Sequence, residues 1–454
     1  MNYAAESSPR SLPPAAPVRR QHRLPTASVR TLGQGSLVVH AVPPRLLSPQ
    51  QQLAWRQLYE QQSAPSNPFL SPEWVSAWYE EFVAPADRLV LVVHKARSQA
   101  EPEDVVAVAP MYLQRSHLGP LTLARRLLPV GSVLGLTAYE LPGLLCLDDQ
   151  RVQAARALAG ACLELPVDWS ELALSEEQGW FDEQWVYGSP EPMAFEQFAR
   201  PRACVVLALQ STWDATRMRL KRNIKESIRR SANRLAKDGR AVQVVRRGAG
   251  ADLELDSDTV GRFLRLHRAR ASLSRAAERH HPDAYSDGRN RRLMLEVLPR
   301  LGEAGEASMF ELYLGGEHVA SQLALHSPGT SYVHSSGFRE DTWALGVVTH
   351  LQGELVRHAI GRGDSVVNFS PGPNVSKTRW SEDLWVSHEF SFGAGPRSLA
   401  ARFATFSMLS SLRATLTSAA RRRAQVDRPQ TVQASTVTAQ PGQPRPVQSP
   451  ATQI

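Results

Sequence analysis

The stretch from Ala307 to Phe369 constrains the fold more tightly than any other part of the chain. Ala307–Leu314 and Glu317–Ser327 are two strand patterns separated by Gly315-Gly316. Paired glycines supply the positive φ angles that a two-residue hairpin turn requires, so the two strands are expected to be antiparallel neighbours. Ser331–Ser336 reads as a third strand, a helix is expected from about Gly346 to Gly361, and Val366–Phe369 is a strand again. A hairpin followed by strand, helix and strand belongs to the α/β class.

The rest of the folded region alternates in the same way. Ser71-Pro72-Glu73-Trp74 opens a helix, with Ser71 as N-cap and Pro72 at the first helical position, where the missing N–H has no helical partner to lose. Leu89–His94 and Val105–Tyr112 are strands, Arg151–Leu165 a helix and Glu171–Leu174 a short strand. Ala203–Leu209 is a strand that leads into a basic helix, and Asp258–Ala271 and Asn290–Gly302 are helices. Length and alternation divide the chain into two halves, residues 46–200 and 201–395, with no repeat of sequence between them. Residues 1–45 and 425–454 are Pro-rich, polar tails and are expected to be disordered. Residues 396–424 carry Leu399, Phe403, Phe406, Leu409 and Leu412 at helical spacing, with arginines at the end. Such a basic amphipathic helix packs on its own domain or lies on a membrane surface, and the first is the commoner use.

The net charge of +8 is a poor guide to partners. Residues 1–45 carry +5 and residues 396–454 carry +7, which leaves −4 for residues 46–395. The folded core is mildly acidic, so bulk charge does not point to nucleic acid, while the basic tails offer a peripheral membrane contact. Cys146, Cys162 and Cys204 stand far apart with no C-x-x-C pair, which excludes a disulfide scaffold or zinc ribbon and suits a reducing cytoplasm. No apolar run reaches about 18 residues, and no apolar stretch follows the basic N-terminus as it would in a secretory signal. A cytoplasmic protein is expected.

The usual catalytic signatures are absent: no G-x-S-x-G, no P-loop, no G-x-G-x-x-G after a strand, no H-E-x-x-H. His350, Glu354 and His358 share one helix face, a spacing that suits a metal but arises more often in a plain polar face. Glu278-Arg279-His280-His281 reads as a solvated loop, and no metal is expected. The strongest local feature is RMRLKRNIKESIRRSANRLAKDGR, residues 217–240. Ser211 with Asp214 resembles a capping box ahead of it, Leu220, Ile224, Ile228 and Leu235 form one apolar stripe, and Asp238-Gly239 ends it. Lys221, Arg222, Lys225, Arg229, Arg230, Arg234 and Lys237 fill the other faces against one acid, Glu226. Like charges one turn apart repel, so an anionic partner is expected to offset them. Few aromatics accompany these cations, which argues against a single-strand nucleic-acid platform.

Several stretches, taken in order, resemble one family. They are Asn67-Pro68-Phe69, Ser71-Pro72-Glu73-Trp74 and Ala77-Trp78, then Val106–Tyr112, then Lys221, Arg222, Asn223, Arg229 and Arg230. Phe263, Leu266 and His267 follow, then Gly337-Phe338 and Gly346, then Asn368-Phe369 through Lys377 and Trp380. Across residues 65–392 the series resembles the CelD/BcsL-like acetyltransferases, a Fem-related branch of the GNAT superfamily. The resemblance implies tandem GNAT-like (Fem-type) domains with mixed central sheets flanked by helices. It implies transfer of an acyl group from acetyl-CoA or another acyl-CoA to an amine or hydroxyl of a sugar, polysaccharide precursor or small metabolite. In such folds the donor's pyrophosphate rests on N–H groups at a helix N-terminus, and the matching residues are Leu345, Gly346, Val347 and Val348. His334 is the preferred general base, since imidazole titrates near neutral pH, with Asp341 second. Lys377, Arg379 and Trp380 fall on the implied acceptor side, together with Lys221, Arg222 and Arg229, which suits a phosphorylated or otherwise anionic acceptor. Two other readings stay open: a Fem-like transferase that uses aminoacyl-tRNA, and a non-catalytic anion-binding module.

Overall fold

The computed structural model describes residues 28–29, 37–96, 104–118, 121–132, 140–175, 193–198, 201–273, 283–394, 403–406 and 408. The chain falls into two compact units, Met1–Leu399 and Ala400–Ile454. Of the second, only residues 403–406 and 408 are described, and they are helical. The loop 278–281, most of the expected 396–424 helix and most of both tails lie outside the described residues.

In the first unit the chain runs β1 (Ser28–Val29), β2 (Leu37–Val42), α1 (Pro49–Glu60), α2 (Pro72–Phe82), β3 (Arg88–Lys95), β4 (Val105–Leu118) and β5 (Leu121–Pro129). It continues through β6 (Leu145–Cys146), α3 (Arg151–Glu164), β7 (Trp169–Ser175), β8 (Met193–Phe198) and β9 (Arg202–Ala208). Next come α4 (Trp213–Arg219), α5 (Arg222–Asp238), β10 (Val242–Gly248), α6 (Ser257–Ala271) and α7 (Gly288–Glu303). The last elements are β11 (Ala307–Leu314), β12 (Glu317–Ser327), β13 (Thr330–Phe338), α8 (Val347–Arg362), β14 (Val366–Pro371), α9 (Val375–Thr378) and β15 (Leu384–Ala394).

All the described strands join one mixed sheet in the order β1-β2-β3-β4-β5-β7-β15-β9-β14-β13-β12-β11-β10, with β6 on β4 and β8 on β15. Read inward from the two ends, the order repeats: β2-β3-β4-β5-β7-β15 mirrors β10-β11-β12-β13-β14-β9. Each half holds one parallel pair, β5 with β7 and β13 with β14, reached through a helical crossover by α3 or α8. The halves meet at the antiparallel pair β15–β9. The last described strand therefore completes the first half.

Local chemistry accounts for most element ends. Ser71 Oγ accepts from Trp74 N to open α2, and Ser48 with Gln51 forms a full capping box on α1. Gly315 and Gly316 both have positive φ, as the β11–β12 hairpin demands. Three expectations are corrected. Leu37–Val42, assigned to a disordered tail, is a strand paired with β3, because its alternating apolar residues bury against the sheet. The cap ahead of the basic segment is Thr212, whose side chain accepts from Ala215 N, rather than Ser211. The segment is also two helices, α4 and α5, because Leu220 turns extended (ψ 148) to bury its side chain.

Helices cover both faces of the sheet. On one face α3 packs over the first half, and α5 and α8 over the second, around Leu158, Leu172 and Phe390 in one cluster and Ile224, Leu235, Phe310 and Leu355 in another. On the other face a single cluster crosses the seam, joining Trp55, Trp74, Trp78 and Tyr79 of the first half to Phe263, Tyr285, Leu293 and Tyr332 of the second. Arg56 pairs with both Glu73 and Glu306, and Glu81 pairs with Arg292 (2.6 Å), so charges also pin the halves together. Burial of this continuous apolar surface, at about 25 cal/mol per Å², is what holds the two halves as one body.

Candidate active site

The second half contains a gap in its sheet. β13 and β14 pair only at Thr330↔Val366, Ser331↔Val367 and Tyr332↔Asn368, and beyond that point they diverge. Each strand carries one extra residue where the gap opens. On β13 the register to β12 passes from Ala324↔Val333 to Leu323↔Ser335, which leaves His334 as the bulge. On β14 the register to β9 passes from Asn368↔Val206 to Pro371↔Cys204, and Ser370 there has φ 65. A non-glycine residue with positive φ is strained, and Asn368 Oδ1 offsets this by accepting from Ser370 N (2.9 Å).

The β13 side of the gap is built by α6. Gly337 lies so close to that helix that a Cβ on it would stand 2.3 Å from His267 N. This contact lets His267 Nδ1 and Arg270 Nη1 reach Ser336 O at 3.1 and 3.0 Å, and Arg270 also donates to Ser336 Oγ at 2.7 Å. His334 is buried beneath, among the rings of Phe69, Trp74 and Tyr332, with Nδ1 3.0 Å from Ser335 Oγ and 3.4 Å from Tyr285 OH. Burial, helped by His267, pushes its pKa down to about 3, so the ring is neutral at pH 7.

The β14 side is built by α9. Lys377 Nζ donates to Pro371 O (2.7 Å), Ser370 O (3.1 Å) and Ser370 Oγ (3.2 Å), gripping the bulge. Burial pulls the Lys377 pKa down to about 8; Cys204 opposes this and the charge of Arg270 adds to it. Arg270 and Lys377 thus anchor the two sides of the gap.

At its outer end β13 leads through a short 3-10 helix, Glu340–Leu345, to α8. Gly346, with φ 75, is the N-cap, and no side chain caps the first turn of α8. Ser231 Oγ of α5 donates to Gly346 O (3.0 Å) and Arg234 Nη1 to Ala344 O (2.8 Å), so α5 braces this turn. Uncapped N–H groups and the positive end of the helix dipole attract anions. The matching crossover helix of the first half, α3, is preceded by Asp148 and Asp149, which disfavour an anion there.

The remaining expected residues are scattered. Asp341 is exposed and paired with Arg339 (2.8 Å), on the wall of an open depression of about 650 Å³ lined by Ala269, Arg339, Glu340, Trp343 and Ala344. Trp380 is in the core, stacked on Phe369 with ring centroids 5.3 Å apart, because it wedges β14 from the α8 face; this removes it from an acceptor's reach. Arg379 bonds Ser227 Oγ and Asn223 O, and Lys221 bonds Thr378 O (2.8 Å) and Glu382 (2.6 Å), so both tie α9 to α5. Arg222 and Arg229 lie on the outer surface of α5, Arg229 paired with Glu226. His350, Glu354 and His358 fall one turn apart along α8, as expected, with Glu354 paired to Arg357 and His358 packed on Phe310 and His326. Among the described residues no group of three or more His, Cys, Asp or Glu is placed to hold a metal. Arg270, Tyr285, Ser336 and Ser370 were not anticipated. Arg270 alone left a trace, three residues after His267 on the same helix.

Residues 222–378, which include the gap, both bulges and the α8 turn, match the acetyltransferase (GNAT) domain family. The chain carries a GNAT-type acetyltransferase domain. No curated protein matches the chain. Among solved structures, FemX aligns with a TM-score of 0.51 at 10% identity, covering 75% of this chain and 95% of its own. That likeness extends the fold from the GNAT-type domain to the first half. The C-terminal domain of a putative lysylphosphatidylglycerol synthetase from Agrobacterium fabrum aligns at 0.41, with 11% identity over 79% of this chain and 96% of its own. A GCN5-related N-acetyltransferase from Kribbella flavida aligns at 0.30, with 13% identity over 78% and 71%.

Proposed function

We propose that the protein is an acyltransferase of the CelD/BcsL-like kind, moving an acetyl or other acyl group from an acyl-CoA to an amine or hydroxyl. The observation that carries this reading is the diverging β13–β14 pair beside the uncapped start of α8. The Val347 and Val348 N–H groups would hold the donor's pyrophosphate, with Leu345 and Gly346 shaping the turn and Arg234 of α5 adding positive charge. Gly346 suits the role because its positive φ turns the chain without a side chain, and Ser231 stands 3.3 Å from where a Cβ would be. The acyl-CoA supplies an activated thioester carbonyl.

Two groups of this chain then act on the acceptor and on developing charge. With a pKa near 3, His334 is too weak a base to take the acceptor's proton as the sequence led one to expect; neutral at pH 7 and oriented by Ser335 and Tyr285, it instead positions the acceptor by hydrogen bonding, beside the apolar wall of Phe69, Trp74 and Tyr332. Arg270 and Lys377, one on each side of the gap, stabilise negative charge that develops on the carbonyl oxygen. The acceptor is a sugar, a polysaccharide precursor or a small metabolite, and the enzyme works in the cytoplasm.

A second reading is a Fem-like transferase that takes aminoacyl-tRNA, favoured by the FemX likeness and by the cations of α5. Calorimetric titration of the full chain with acetyl-CoA and CoA separates the two. Saturable binding that weakens about tenfold in Gly346→Val, a loss of about 1.4 kcal/mol, supports acyl-CoA use. A folded protein that binds neither, yet binds aminoacyl-tRNA with a steep salt dependence, overturns it in favour of the second reading.

A further inference from the structure

From Trp213 to Arg240 the chain carries ten arginines and lysines against three acids, Asp214, Glu226 and Asp238. Glu226 is shared by Arg229 and Arg230, and Asp238 is taken by Arg240. Arg217, Arg219 and Arg222 are exposed and form no ion pair among the described residues. Between the first two stands Met218, 80% exposed. A second apolar side chain of the same kind, Val375, is 79% exposed at the start of α9. Met218 and Val375 are the most exposed large hydrophobic residues among those described.

These residues belong to one corner. Lys221, at the α4–α5 junction, donates to Thr378 O of α9 and pairs with Glu382, and Arg379 donates to Asn223 O of α5. Lys225 Nζ folds back onto Met218 O (3.2 Å). Leu384, 43% exposed, follows two residues after Glu382. Exposed apolar side chains beside exposed arginines that form no ion pair among the described residues make this corner amphipathic.

We propose that the α4–α5–α9 corner docks on an anionic phospholipid bilayer. Met218, Val375 and Leu384 enter the headgroup region, while Arg217, Arg219 and Arg222 meet lipid phosphates. RNA fits less well, because a phosphate backbone needs the arginines but has no use for aliphatic tips. Among the described residues the only aromatic side chain on α4 and α5, Trp213, is covered by the Arg357 guanidinium rather than offered to a base. The inference is independent of the acyltransferase reading, since it concerns surface residues with no role in the gap.

The test is co-sedimentation of the full chain with vesicles of phosphatidylglycerol and phosphatidylcholine, against phosphatidylcholine alone. Each arginine near an anionic surface is worth about fivefold in partitioning, so Arg217→Ser, Arg219→Ser and Arg222→Ser together lower it about a hundredfold. Met218→Ser with Val375→Ser lowers it about tenfold at unchanged charge. All five positions are exposed, so thermal melts of both variants should match the wild type. Three outcomes overturn the proposal: equal binding to both vesicle types; wild-type sedimentation of both variants, which assigns any binding to the basic tails; or an effect of the arginines with none of the apolar pair, which marks a general polyanion surface such as one for RNA.

Discussion

Gly337→Ala tests the geometry of the gap most directly. A Cβ at this position would meet His267 N at 2.3 Å, Leu266 C at 2.5 Å and Leu266 Cβ at 2.8 Å, whereas ordinary contact begins near 3.4 Å. Two of these three are backbone atoms, so no rotamer change relieves the clash. α6 must move off β13 by roughly an ångström, which stretches the His267 and Arg270 bonds to Ser336 to roughly 4 Å and breaks them. Overpacking costs about 1–3 kcal/mol and the lost charge-assisted hydrogen bond about 1.5–3, so the total is on the order of 3–5 kcal/mol. In urea denaturation followed by circular dichroism the midpoint should fall by about 1 M, given a slope of a few kcal/mol per molar. Gly353→Ala is the control: it sits inside α8 with nothing within 4 Å of the added Cβ, and alanine there should be neutral or stabilising by up to about 1 kcal/mol. If Gly337→Ala unfolds at the wild-type midpoint, or no earlier than Gly353→Ala, the close approach of α6 to β13 is wrong, and with it the account of how Arg270 is held.

Three other outcomes are expected. The folded protein holds Lys377 at about 8 against a usual 10.5, so between those values the unfolded chain binds the extra proton and stability rises with pH; Lys377→Met should lose that rise, on the order of 3 kcal/mol, in urea midpoints taken at both ends. His334 at about 3, with His94 and His358 at about 4, works in the same direction below 6.5: stability falls as the pH drops, by up to about 1.4 kcal/mol per unit for each histidine, and melts of His334→Asn from pH 7 to 5 should show a shallower decline than the wild type. Arg56→Ala leaves Glu73 and the largely buried Glu306 facing each other across the seam, and should cost about 3 kcal/mol in the same denaturation assay.

The α/β class and most elements of the second half were legible because their signals are local. A glycine pair makes a hairpin, and Gly239 closes α5 with its left-handed φ, whatever lies elsewhere. The resemblance motifs owed their force to tertiary contacts that a single sequence does not display. Phe263, Leu266 and His267 matter together with Gly337 because one backbone lies on the other. β10 escaped notice since its arginines, Arg246 and Arg247, break the apolar pattern of an edge strand, and Arg247 is paired with the buried Glu311 of β11. The resemblance places Trp380 on the acceptor side, and an aromatic beside Lys377 and Arg379 looks the same in sequence whether it faces a ligand or the core, where it lies. The two sides of the gap could not be assigned to one site from spacing, as Arg270 and Lys377 are brought together by the β13–β14 crossover, not by proximity in the chain.

The mirrored strand order has a consequence for how the protein is made. A ribosome finishes β2 to β7 long before it reaches β15, the strand that lies between β7 and β9. At about 5–20 residues per second, the intervening roughly two hundred residues take some tens of seconds, during which the inner edge of β7 has no partner. The first half is therefore a nascent chain with an open flank, a template for pairing with any neighbour on the same polysome. Release of the C-terminal segment closes it. The same arrangement means that a premature stop anywhere before Leu384 leaves the first half without its closing strand.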